Sequence, residues 1–142
     1  MIRAEAHLPM VREVAARVSL PCGPVDAACR VRRLGRWVGD HLRFLPDPVG
    51  VEAVASPALH IARIQREGSS FGDCDDAAAL AGCLARAVGS AVRLVVVSVR
   101  PDKKLHHIFA QGAGAAGQWI DMDPFLTERR GAAFTRVVPF MV

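Results

Sequence analysis

Phe71-Gly-Asp-Cys-Asp-Asp-Ala-Ala-Ala-Leu-Ala-Gly-Cys-Leu-Ala-Arg-Ala-Val-Gly89 is the stretch on which the reading of this chain turns. Gly72 breaks the backbone, and a helix starts behind it with Cys74 in its first turn. Asp73 is placed to cap that helix, and Asp76, three residues on, to complete a capping box. Leu80, Leu84 and Val88 recur at helical spacing with Ala77 and Ala81 beside them, and Gly89 fits the left-handed stop. A thiol in the first turn faces partly positive backbone N–H groups, which favour thiolate. Cys74 is therefore a candidate nucleophile. Asp73, Asp75 and Asp76 crowd it, and their charge opposes thiolate formation.

The rest of the composition narrows the setting. With 142 residues, 51% hydrophobic and 23% charged, the chain is expected to fold as one globular domain over 1–142. No apolar run approaches the ~20 residues of a membrane span, and the N-terminus lacks a signal-peptide layout. A cytoplasmic protein without a membrane partner is expected. The net charge of +4 is spread arginine, with a local run at Arg30, Arg32, Arg33 and Arg36. Aromatic interleaving and nucleic-acid motifs are lacking there, so the run reads as a solvated helix face and no nucleic-acid partner is expected. Cys22, Cys29, Cys74 and Cys83 include no Cys-x-x-Cys pair, so no metal site is expected. Cys22 and Cys29 could pair only in an oxidising compartment, for which the sequence carries no signal. Cys83 points away from Cys74 on the helix and reads as a small core residue.

Taken in order, the chain offers helices before strands. Leu8, Val11, Val14, Ala15 and Val18 make an amphipathic helix that Pro21 stops. Asp26 can cap a helix from about 27 to 42, with Val31, Leu34, Trp37, Val38 and Leu42 as its core stripe. Residues 44–50 hold two prolines and read as a loop, which either links two helices or forms one wall of a cleft. Pro57 opens a helix that ends at Gly68. A Val-rich strand spans 92–99; further strands are expected at 105–111, 119–122 and 134–138, with a flexible turn at 112–117. Helices followed by an antiparallel sheet argue an α+β fold. His41 and His60 read as surface or ordinary polar contacts, and His7 as part of the terminus.

A helix-terminal thiol needs a base, and the base needs a group to orient it. His106 and His107 stand early in the second strand, and Asp121 and Asp123 at the end of the third. If these strands are hairpin neighbours, one His and one Asp lie side by side on one face. Periodicity alone does not choose between the members of each pair.

Gly72-Asp73-Cys74-Asp75-Asp76, the Ala/Leu helix to Gly89, the Val-rich strand, His107-Ile-Phe-Ala and Trp119-Ile-Asp-Met-Asp123-Pro124 together resemble the transglutaminase-like superfamily, a branch of the papain-like cysteine enzymes. The resemblance covers about residues 70–125, and Trp37, Phe44 and Asp47-Pro48 are similar to the segment before the cysteine in bacterial and phage-encoded members. It implies N-terminal helices with the cysteine helix packed on an antiparallel sheet of about 3–4 strands. By position it implies Cys74 as nucleophile, His107 as base and Asp123 as the residue orienting the imidazole. His106 and Asp121 are then alternates at opposite strand parity. The implied chemistry is cysteine-dependent acyl transfer on a peptide or protein substrate, with peptidase or amidase action ahead of crosslinking and no cofactor. The rival expectation is a non-catalytic phage or prophage structural protein that binds a protein partner on the same scaffold.

Overall fold

In the computed structural model, which describes residues 1–98, 100–125, 134 and 136–142, helices come first and the main sheet second. The helices are α1 (Ile2–Glu5), α2 (Pro9–Ser19), α3 (Ala27–His41), α4 (Pro57–Glu67) and α5 (Cys74–Ala87). Their boundaries follow local chemistry. The Asp26 side chain accepts from the Cys29 N–H at 2.9 Å and starts α3. Ser56 accepts from the Leu59 N–H and Pro57 fills the first helical position of α4, which Gly68 ends at φ +85°. Every residue of α5 from Asp76 to Ala85 is buried, so this alanine-rich helix is the centre of the molecule. Leu80 and Leu84 pack there with Val11, Val14, Val31, Leu34 and Ile61 from the surrounding helices. Cys83 lies in this core, where burial and then Glu5 push its thiol up to about 12.

The sheet consists of β3 (Val92–Ser98), β4 (His107–Ala113), β5 (Trp119–Asp121) and β6 (Arg136–Met141), in the order β5-β4-β3-β6 and antiparallel throughout. Val92 and Ala110 face α5, where Gly82 lets the helix approach. Gly112 leaves room for Val31 of α3, since a Cβ there would stand 2.8 Å from both Val31 methyls. Val95, Val97 and Phe109 form a second apolar cluster on the opposite face. Gly35 and Gly39, one turn apart on α3, bring that helix against the chain leaving β5. A Cβ at Gly35 would lie 3.2 Å from the Met122 Cα, and one at Gly39 3.2 Å from the Pro124 Cβ.

Several boundaries differ from expectation. β4 begins at His107 and not at 105, and runs on to Ala113, so the turn shortens to residues 115–117. β6 lies at Arg136–Met141, later than 134–138; it is an edge strand, which tolerates Pro139. Val99 and Thr135, both assigned to strands from sequence, lie outside the described residues. Two strands were not foreseen. β1 (Leu42–Phe44) and β2 (Ser70–Gly72) pair in parallel, Phe44 opposite Gly72, and three residues are too few to show an alternating pattern. Cys22 and Cys29, which the sequence allows to pair only in an oxidising compartment, form a disulfide at the start of α3. The Asp26 cap folds the intervening turn back on itself and brings the two Cα atoms within 5.8 Å.

Candidate active site

Cys74 is the first residue of α5, and its N–H lies outside the intrahelical ladder. The helix start is held by a complete capping box: Asp73 accepts from the first turn, and the Asp73 N–H donates to Asp76 Oδ2 at 3.2 Å. Gly72 makes this possible. A Cβ at that position would lie 2.5 Å from Asp76 Oδ2 and 2.6 Å from the Asp76 Cβ.

His107 opens β4 and stands against this helix start. Its Nε2–H donates to Asp123 Oδ2, and the second Asp123 oxygen accepts from the Phe125 N–H at 2.8 Å. The Asp123 side chain is 1% exposed. Cys74 is near enough to act on the charge of the same imidazole. Burial works against a charged imidazole, but the hydrogen bonds and charges of Asp123 and Cys74 prevail and raise His107 to about 9.

Cys74, His107 and Asp123 are thus brought together, and the alternates are not. His106 is exposed to solvent, where its Nδ1 meets the Lys104 carbonyl at 3.0 Å. Asp121 accepts from Gln111 Nε2 at 2.5 Å. Its separation from the site does not come from strand parity, as was expected. Two residues apart, Asp121 and Asp123 share a face, and position along the strand distinguishes them. Gln111 is the partner of Asp121 in the ladder, whereas Asp123 lies past the end of β5, where the chain passes His107.

The segment between β1 and α4 borders the site. It is tied to both sides of Cys74: the Leu45 N–H donates to the Gly72 carbonyl at 2.9 Å, and the Ala55 N–H to Asp76 Oδ1 at 2.8 Å. Next to it Phe44 is 60% exposed and meets Phe125 edge-on, while Phe71 is 53% exposed. Two aromatic rings open to solvent therefore lie within a few residues of the thiol in strand pairing.

The aspartates around Cys74 are less uniformly charged than the sequence implies. Burial, then Asp73 and Asp76, lift Asp75 from 3.8 to about 7, and its Oδ1 is buried with no hydrogen-bond partner. Near neutral pH this carboxyl therefore carries less negative charge than an ordinary aspartate. The sign follows from linkage. Because the folded pKa is raised, ionising Asp75 costs stability, a cost absent below about pH 3.8 and complete above about pH 7. Asp75→Asn is therefore expected to be more stable than wild type at pH 8 and level with it near pH 3.5. Urea unfolding at the two pH values checks this; an equal difference at both would refute it. The oxygens of Asp73, Asp75 and Asp76 lie within 4.8 Å of one another, a spacing a cation could use, but Asp76 is already occupied by protein donors.

His60, read from sequence as a surface residue or an ordinary polar contact, is not at the surface. It is fully buried and bonded to Ser70 and Asp76. Nothing in the spacing of α4 marks it, because its partners come from β2 and α5.

The transglutaminase-like superfamily profile matches residues 12–124. The chain belongs to the transglutaminase-like superfamily. Among solved structures it is similar to a candidate cysteine protease from Cytophaga hutchinsonii, with a TM-score of 0.60 and 16% identity over 90% of this chain. That likeness concerns the fold, and this superfamily member spans 41% of the other protein's length. No curated protein matches the chain in sequence. The family places the chain among cysteine enzymes built on helices and an antiparallel sheet. No helix among the described residues is long and apolar enough to cross a membrane.

Proposed function

We propose that this superfamily member is a cysteine peptidase or amidase in which Cys74 is the nucleophile, His107 the general base and acid, and Asp123 the group orienting His107. The observation that carries the reading is the His107–Asp123 pair standing by the helix N-terminus that bears Cys74, whose thiol acts on the charge of that imidazole. His107 takes the thiol proton, and the thiolate attacks the amide carbonyl carbon. The tetrahedral oxyanion is met by the Cys74 N–H. Collapse breaks the C–N bond, the amine leaves with the proton from His107, and a thioester remains. Water, deprotonated by His107, then releases the acid and restores the thiol. Hydrolysis is favoured over crosslinking because Cys74 is part-exposed, so water can reach the thioester.

An extended peptide with an apolar side chain suits the exposed Phe44, whose ring meets Phe125 just past Asp123. The test is iodoacetamide labelling at pH 6, read by peptide mass spectrometry, followed by a peptide-library cleavage screen. Cys74 is expected to label at least tenfold faster than the same thiol in denaturant, while buried Cys83 stays unmodified. Equal rates for native and denatured Cys74 would overturn the reading and favour a non-catalytic scaffold.

A further inference from the structure

We propose that His60 is a positioning residue for Cys74, acting through Asp76 and Ser70; this rests on the nucleophile assignment above. The imidazole is 0% exposed, and both its nitrogens are engaged. Nε2–H donates to Asp76 Oδ1 at 3.2 Å, and Nδ1 meets Ser70 Oγ at 2.8 Å. Asp76 is 5% exposed and also accepts from the Ala55 and Asp73 N–H groups. One buried network therefore joins four segments: the body of α4, strand β2, the end of the 45–55 segment, and the first turn of α5.

The members of this network converge on the thiol. Ser70 stands four residues before Cys74 and Asp76 two after it, so the network holds the chain on both sides of the sulfur. Asp76 alone could satisfy the helix cap from the Asp73 N–H. His60 adds a contact from a separate helix, which fixes the carboxylate, and with it the helix start, relative to β2. An apolar side chain would fill the same volume without imposing that geometry; a fully satisfied polar network specifies one arrangement. The arrangement matters because His107 sits on a different element, β4, and a displacement of about 1 Å between reacting groups costs on the order of a hundredfold in rate.

The test uses the whole chain and iodoacetamide at pH 6, so no substrate need be known. His60→Leu keeps the volume and removes both hydrogen bonds; His60→Gln keeps an N–H donor for Asp76. Circular dichroism and urea unfolding establish that each variant is folded. Cys74 labelling is expected to slow by about tenfold or more in His60→Leu and to return to within about threefold of wild type in His60→Gln. A folded His60→Leu that labels Cys74 at the wild-type rate, with only its unfolding midpoint lowered, shows a purely structural role and overturns the inference. If His60→Leu does not fold, Ser70→Ala decides: slower labelling of the folded variant supports the inference, and wild-type labelling overturns it. Loss of the acyl-transfer reading itself is told apart by the wild type, which would then show no acceleration over the denatured thiol.

Discussion

Replacing His107 by Ala should slow iodoacetamide labelling of Cys74 at pH 6 by about a hundredfold and abolish any amide hydrolysis. The size follows from what the imidazole supplies. An unassisted thiol is only about 0.3% thiolate at pH 6. General acid–base assistance by a positioned imidazole contributes ~10²–10⁴ in rate. Asp123 and Cys74 keep His107 protonated up to about pH 9, so the advantage of wild type over the variant should be largest at low pH and shrink as pH rises through about 9. Stability should follow the same direction. A folded pKa raised above 6.5 gives stabilisation that is complete below about pH 6.5 and lost towards pH 9. Measuring labelling and urea unfolding of both proteins at pH 6, 7.5 and 9 checks both. A labelling rate in His107→Ala equal to wild type would remove His107 from the mechanism.

Gly72→Ala should cost about 2–4 kcal/mol of folding stability and, in whatever fraction folds, most of the Cys74 reactivity. The new methyl would stand 2.6 Å from the Asp76 Cβ as well as 2.5 Å from its carboxylate. A change of rotamer moves the carboxylate but not the Cβ, so the backbone must shift. Overpacking of this kind costs about 1–3 kcal/mol, and loss of a helix cap about 1 kcal/mol. The backbone that shifts is β2 and the first turn of α5, the segment that carries Cys74. The measurement is the urea midpoint with the slope unchanged, together with labelling at pH 6. Wild-type values for both would show that the segment relaxes freely, against the close approach seen at Gly72.

These two substitutions probe what sequence and structure each contribute. The Gly72, Cys74, His107 and Asp123 constellation stands out in the sequence because each residue sits beside a local signal: a helix start, a strand start, an Asp-Pro stop. The parity argument failed for Asp121 and Asp123, since residues two apart on a strand share a face. Only the ladder shows why Asp123 reaches His107, for Asp121 lies within it, paired with Gln111, and Asp123 lies just past its end. From sequence His60 reads as a surface residue or an ordinary polar contact because a lone histidine on an amphipathic helix has no local partner. Its contacts with Ser70 and Asp76 span 10 and 16 residues.

The sequence by itself determined the main helices and the four-stranded sheet, the central Ala-rich helix and the superfamily, because propensity, caps and hydrophobic period act over a few residues. It also determined that a thiol stands at a helix N-terminus. Tertiary structure alone decided that Asp123 pairs with His107 near Cys74, that burial and its neighbours raise the Asp75 carboxyl, and that a buried His60 network joins α4, β2 and the start of α5. Each of these depends on distance and desolvation between groups far apart in the chain, quantities that a one-dimensional pattern does not carry.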